Sequence, residues 1–245
     1  MVLDSLDTTD QERSDGLIPH KMQGQLGDRP IKNRRTIRYI FGYVFWKPNI
    51  DRLLALVLSV SLAPLLVLIA IAIRLDSPGS PMFLQERVGK NGRRFVICKF
   101  RTMHANNDDS DFKRRASEAI LENRQFDKFR DDPRVTRLGA ILRKTNLDEV
   151  PQILNVLKGE MAFVGPRPEI PFTMELYREL NRERYWRRLS VNPGITGLWQ
   201  VRGRGRVTFS DMVSFDIDYV QRQSPLLDAA ILLQTLGTIL GRDGS

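Results

Sequence analysis

The 245-residue sequence has one cysteine, Cys98, and two histidines, His20 and His104. A single thiol excludes an intrachain disulfide and a thiolate metal cluster. Cys98 lies in an apolar run, where it is expected as a small buried hydrophobe. His20 falls in a polar N-terminal tail that reads as disordered, and His104 follows Lys99-Phe100-Arg101-Thr102-Met103. A histidine-based triad or a multi-histidine zinc site is therefore not expected, and any chemistry falls to carboxylates. No secretory pattern starts at Met1 and no internal repeat is present.

Acids are sparse beyond the tail. Residues 1–31 carry Asp4, Asp7, Asp10, Glu12, Asp15 and Asp28 against Arg13, Lys21 and Arg29, which leaves 35 bases to 23 acids in the remaining chain. Such a surplus favours phosphates, nucleic acid or the anionic face of a bilayer. No nucleic-acid-binding motif accompanies it, which argues against nucleic acid.

Charge of either sign is missing from Leu53 to Ile73, a run of 21 residues preceded by a basic, aromatic stretch of the kind found at membrane surfaces. The run is long enough to enter a bilayer. Pro64 is nearly central, so a bend is expected there. Six bases lie in residues 32–52 and seven in residues 74–101, so both flanks favour the same side of a membrane. A Pro-broken, re-entrant helix satisfies both flanks, with Ser59 and Ser61 placed to bond the backbone groups freed at the bend. A straight span is the competing reading.

Further on, alternation around Asn91-Gly92 predicts a hairpin of strands Met82–Val88 and Arg94–Phe100. Helices are expected over Asp111–Phe129, Arg137–Thr145, Glu149–Leu157 and Phe172–Arg188, with a short strand at Met161–Val164. The glycine-rich 192–206 stretch reads as loop. The apolar segment from Ser224 reads as a helix too short to span. The expected fold is α/β and helix-rich, in three parts: an acidic tail (1–31), an interfacial segment with the membrane helix (32–75) and the remaining domain (76–245).

The stretch TNLDEVPQILNVLKGEMAFVGPRPE sets two carboxylates, Asp148 and Glu149, just ahead of Pro151. Proline is tolerated only in a first helical turn, so one reading makes Asp148 or Glu149 a helix N-cap. The other reading is chemical. The free N–H groups of a helix start stabilise an ionised Asp148, and Arg143, Lys144 and a proline-stiffened Arg167 supply cations. An ionised carboxylate can attack phosphorus, and a Mg²⁺ held by carboxylate and phosphate oxygens would reduce the repulsion.

With FLQERVGKNGRRFVICKFRTM, RKTNLDEVPQILNVLKGEMAFVGPRPE and RLSVNPGITGLWQVRGRGR in this order, the chain from about Asn49 onward resembles the bacterial sugar transferases, small phosphoglycosyl transferases of the monotopic kind. The resemblance implies a membrane-associated monotopic fold at the cytoplasmic face of the bacterial inner membrane. It implies transfer of a sugar-1-phosphate from a UDP-sugar to undecaprenyl phosphate, releasing UMP, at the start of exopolysaccharide, capsule or O-antigen assembly. Asp148 would be the nucleophile forming a phosphosugar-aspartyl intermediate and a Mg²⁺ ligand, with Glu149 assisting. Arg143, Arg167, Arg188 and Arg204 would contact phosphates, followed by Lys99 and Arg101. For these last two, a strand-end pair packed against acids is an equal alternative. Gly-Leu-Trp-Gln and Gly-Arg-Gly-Arg are similar to members using unacetylated hexoses, which points to UDP-glucose or UDP-galactose. Membrane lipids are expected partners, and a homo-oligomer is allowed. One departure is Ala63, where many relatives carry serine before the proline. Two other readings compete: a membrane-anchored protein binding anionic lipid through its basic face, and a transferase that moves sugar without phosphate, with Asp148 as base.

Overall fold

The computed structural model describes residues 34–104, 110–123, 132–180, 182–203 and 207–240. Residues Arg38–Ser245 form one compact unit and Met1–Ile37 a second, of which only the first residues of helix α1 are described.

Helix α1, Arg34–Asp76, contains Pro48 and Pro64 and is not interrupted at either. The expected break is therefore not a gap in the helix. Each proline deletes one backbone donor, and the bonds on both sides carry the helix through. Ser59 does not supply a compensating bond, since its buried hydroxyl has no partner. The helix has an inner and an outer face. Ala55 and Leu62 pack with Phe95, Ile97, Ile153, Val156 and Met161. Leu66, Ile69, Ala70 and Ile73, further along at helical spacing, pack with Phe100, Leu142 and Met82. Leu53, Val57, Val60, Val67, Leu68 and Ile71 point outward and are exposed. Both halves thus lie along one and the same body.

The start of α1 is fastened by polar contacts. Tyr43 donates to Asp228 at 2.7 Å, Lys47 pairs with Asp228 and, at 3.2 Å, with Asp51, and Tyr219 donates to the other Asp228 oxygen at 2.9 Å.

Strands β1 (Met82–Val88) and β2 (Arg94–Phe100) pair antiparallel, with the predicted boundaries. Asn91 and Gly92 take the positive φ values of 56° and 76° that the turn requires. Helix α2, Ser110–Leu121, is shorter than expected. Asn123, at φ 45°, turns the chain after it, and residues 124–131 lie outside the described residues. Helix α3, Arg137–Thr145, is capped by Thr136, whose hydroxyl accepts from the Gly139 N–H at 2.9 Å. It ends on left-handed Asn146.

The expected Glu149–Leu157 helix divides into a 3-10 helix, Leu147–Gln152, and α4, Ile153–Lys158. Strand β3, Ala162–Val164, pairs parallel with β4, Gly194–Thr196. Helices α5, Pro171–Leu180, and α6, Arg182–Arg188, cover the expected Phe172–Arg188 helix, with residue 181 outside the described residues. The supposed loop also contains α7, Leu198–Arg202. A Cβ on Gly194 would collide with the Gly165 backbone, so this glycine permits close approach of β4 to the loop after β3. Helix α8, Phe209–Arg222, starts from a reciprocal Thr208–Asp211 cap. Helix α9 is Pro225–Leu240.

Candidate active site: an acid pair beside buried cations

The acid pair sits in the first turn of the 3-10 helix, which packs over β2. Neither acid is the cap. Asn146 takes that position, and the pair's side chains are left for other work. Pro151 is the fifth residue of this 3-10 helix, past its first turn, where its ring removes one i→i−3 donor.

The two carboxylates differ sharply. Glu149 Oε1 accepts from Lys99 Nζ at 2.7 Å and from Arg167 Nη2 at 3.1 Å. Although burial opposes its ionisation, the Arg167 and Lys99 charges hold Glu149 well below the usual carboxylate range. Asp148 makes no ion pair and no hydrogen bond to another side chain among the described residues. Burial first, and then the Glu149 charge, push it above the ordinary aspartate value, while Lys99 and Arg143 pull the other way. The lowering expected from a helix start is overruled, because a half-buried carboxylate next to an anion pays for lost water.

The cations outnumber the acids. Lys99 is lowered to about 8, by burial and then by the neighbouring Arg167 charge. Arg87, which sequence reasoning passed over, is lowered to about 10 for the same two reasons. Its guanidinium donates to the Pro168 carbonyl at 3.1 Å and to Gln85 at 2.6 Å. Arg87, Lys99, Gln152 and Arg167 line one crevice. Cations crowded together in partial burial favour the arrival of an oxyanion.

Arg143 donates to Thr102 at 2.9 Å, with its charge felt at Asp148. Arg101 is 8% exposed and bonded to Ser77 and the Pro78 carbonyl, where it holds the turn after α1. Arg188 is 2% exposed. Its guanidinium engages Glu169 at 3.1 Å, Asp216 at 2.6 Å and the Arg167 carbonyl at 2.9 Å. Arg101 and Arg188 are thus not gathered at the acid pair, unlike Lys99, Arg143 and Arg167, and Arg204 lies outside the described residues. Burial pushes Asp216 up to about 7 despite the Arg188 charge. Asn155, also unread in the sequence, is fully buried and bonds the Cys98 N–H, the Val96 carbonyl and Glu160, locking α4 to β2 beside Lys99. Its signal was a lone amide in the apolar run Ile153–Leu157.

Among the described residues no three His, Cys, Asp or Glu side chains assemble into a metal cage. An uncommitted Asp148 carboxylate fits a Mg²⁺ of the kind held by one carboxylate and substrate phosphate oxygens.

The chain thus carries an exposed apolar helix long enough to cross a membrane and a centre of acids and crowded cations. Its kinship is specific: the model of the bacterial sugar transferase family matches residues 42–242, and the chain belongs to that family. The exopolysaccharide production protein ExoY of Sinorhizobium fredii is 40% identical over 201 residues, covering 81% of this chain and 87% of that protein. The UDP-glucose:undecaprenyl-phosphate glucose-1-phosphate transferase of Caulobacter vibrioides is 40% identical over 204 residues, 81% of this chain and 71% of its own length. The UDP-galactose-lipid carrier transferase of Erwinia amylovora is 41% identical over 203 residues, 82% of this chain, and this chain spans 42% of it.

Proposed function

We propose that the chain transfers a hexose-1-phosphate from a UDP-sugar to undecaprenyl phosphate, with Asp148 as nucleophile. The observation that carries this is the division of labour in the pair: Glu149 is clamped between Lys99 and Arg167, while Asp148 is left uncommitted beside them. An Asp148 oxygen bonds to the β-phosphorus, the bond from that phosphorus to the bridging oxygen breaks, and UMP departs with the electron pair. An oxygen of undecaprenyl phosphate then attacks the same phosphorus and Asp148 leaves as a carboxylate. Lys99, Arg167 and Arg143 steady the charge on the phosphoryl oxygens. Arg188 acts one step removed, holding the Arg167 carbonyl. A bound Mg²⁺ would offset charge on the phosphates. The names of the Caulobacter and Erwinia relatives, a glucose-1-phosphate transferase and a UDP-galactose-lipid carrier transferase, favour UDP-glucose or UDP-galactose as donor.

The protein works at the cytoplasmic face of a bacterial inner membrane, with α1 embedded from one side. In support, both halves of α1 pack on the same body. The test is purified protein in lipid with Mg²⁺, undecaprenyl phosphate and a panel of UDP-sugars. UMP release, lost in Asp148→Asn, is expected. UDP release instead would mean sugar transfer without phosphate.

A further inference from the structure

The inner face of the hairpin is covered unevenly. Residues paired across β1 and β2 share one side of the sheet, so Phe83 with Lys99, Gln85 with Ile97 and Arg87 with Phe95 look the same way. From that side Lys99 reaches Glu149. Phe95 and Ile97 are buried against α1 and α4, and the Pro168 carbonyl covers Arg87. Of these six only Phe83 is open, at 44% exposed, and it joins none of the apolar clusters.

An exposed phenylalanine is unremarkable by itself. Its surroundings give it meaning. Across the strand pair is the lysine that holds Glu149. Next in sequence is Met82, packed in the cluster of Leu66, Ile69, Ala70 and Ile73 on α1. Leu84, on the other side of the strand, is 60% exposed. Phe83 thus sits on the backbone path from Met82, which packs on the apolar helix with its side chain on the opposite face, to the cationic centre, and its ring is on the Lys99 side of the sheet. A ligand with a phosphate at Lys99 and an apolar chain beginning one bond later matches that path.

We propose that Phe83 seats the isoprene unit nearest the phosphate of the prenyl-phosphate acceptor, which sets that phosphate against Lys99; the inference rests on the acceptor chemistry argued above. Phe83→Ala and Phe83→Leu are compared with the parent protein in lipid nanodiscs. The readouts are KM for undecaprenyl phosphate, KM for the UDP-sugar and the burst of UMP released without acceptor. Phe83→Ala is expected to raise the acceptor KM about tenfold, leaving the burst and the UDP-sugar KM within about twofold. Phe83→Leu regains most of the loss because the contact is apolar, and a short-chain prenyl phosphate shows the same factor as the long one. A raised UDP-sugar KM or a lost burst would assign the ring to the donor and overturn the proposal. Unchanged acceptor KM, or an effect that vanishes with the short chain, overturns it too. A parent protein that shows no UMP burst defeats the donor reading first, and is told apart from these outcomes by that fact.

Discussion

Arg188→Met probes the charge cluster that supports the Arg167 loop. The Arg188 and Asp216 side chains are 2% and 1% exposed, so deleting the guanidinium strands a carboxylate without water. Breaking one partner of a buried pair costs about 3–5 kcal/mol. At roughly 2–4 °C per kcal/mol for a domain of this size, the melting temperature should fall by about 6–20 °C. The pH dependence has a definite sign. Asp216 already stands at about 7, and losing Arg188 raises it further. A folded pKa above the unfolded one means that the native state keeps a proton the unfolded chain gives up. Stability then declines as pH rises through that window, so the deficit is larger near pH 8 than near pH 5. Adding Asp216→Leu removes the stranded charge and restores most of the loss. The assay is thermal unfolding in detergent, with UMP release followed on the same samples below the transition. Because Arg188 also holds the Arg167 carbonyl at 2.9 Å, the restored double variant should keep a raised KM for the UDP-sugar. A melting temperature within about 3 °C of the parent for Arg188→Met, or a deficit that shrinks on raising the pH, refutes the reasoning.

Asp148→Asn should abolish UMP release without lowering the melting temperature, since no side-chain partner is lost with the charge; residual turnover above a trace would move the nucleophile elsewhere. Lys99, lowered to about 8, loses its proton as pH rises past that value, so kcat/KM should fall on the alkaline side. Lys99→Arg keeps a cation there and should shift that limb upward; an unmoved limb would mean another group titrates. Asp228→Ala deprives Lys47, Tyr43 and Tyr219 of a shared acceptor and should cost about 3–5 kcal/mol in thermal unfolding. Cysteines engineered ahead of Leu53 and beyond Ile73 should be labelled from the same side in intact cells, and labelling from opposite sides would establish a span.

The hairpin was legible to the residue because period-two alternation and Asn91-Gly92 act locally. The stretch 194–206 was not. A three-residue strand and a five-residue helix owe their existence to β3 and to the cluster around Leu198 and Val201, which no local pattern announces. Helix α8 was passed over although Thr208 and Asp211 spelled its cap. At the site, Asp148, Glu149, Lys99 and Arg167 could be singled out as charged residues in motifs. One dimension does not separate Arg167 from Arg188, since the difference is Asp216, far along the chain and adjacent only after folding. The identity of the clamped acid was equally hidden, because it depends on which carboxylate the hairpin lysine can reach.

Ala55 and Ile73 are as much interior as Val156 and Phe100, although they belong to the helix that gives the chain its anchor. A trimmed protein beginning after Asp76 would open two of its apolar clusters to water, so the anchor is no detachable tether. A water-soluble version has to be made by repainting the outward residues of α1 with polar side chains, leaving Ala55, Leu62, Leu66 and Ile73 untouched.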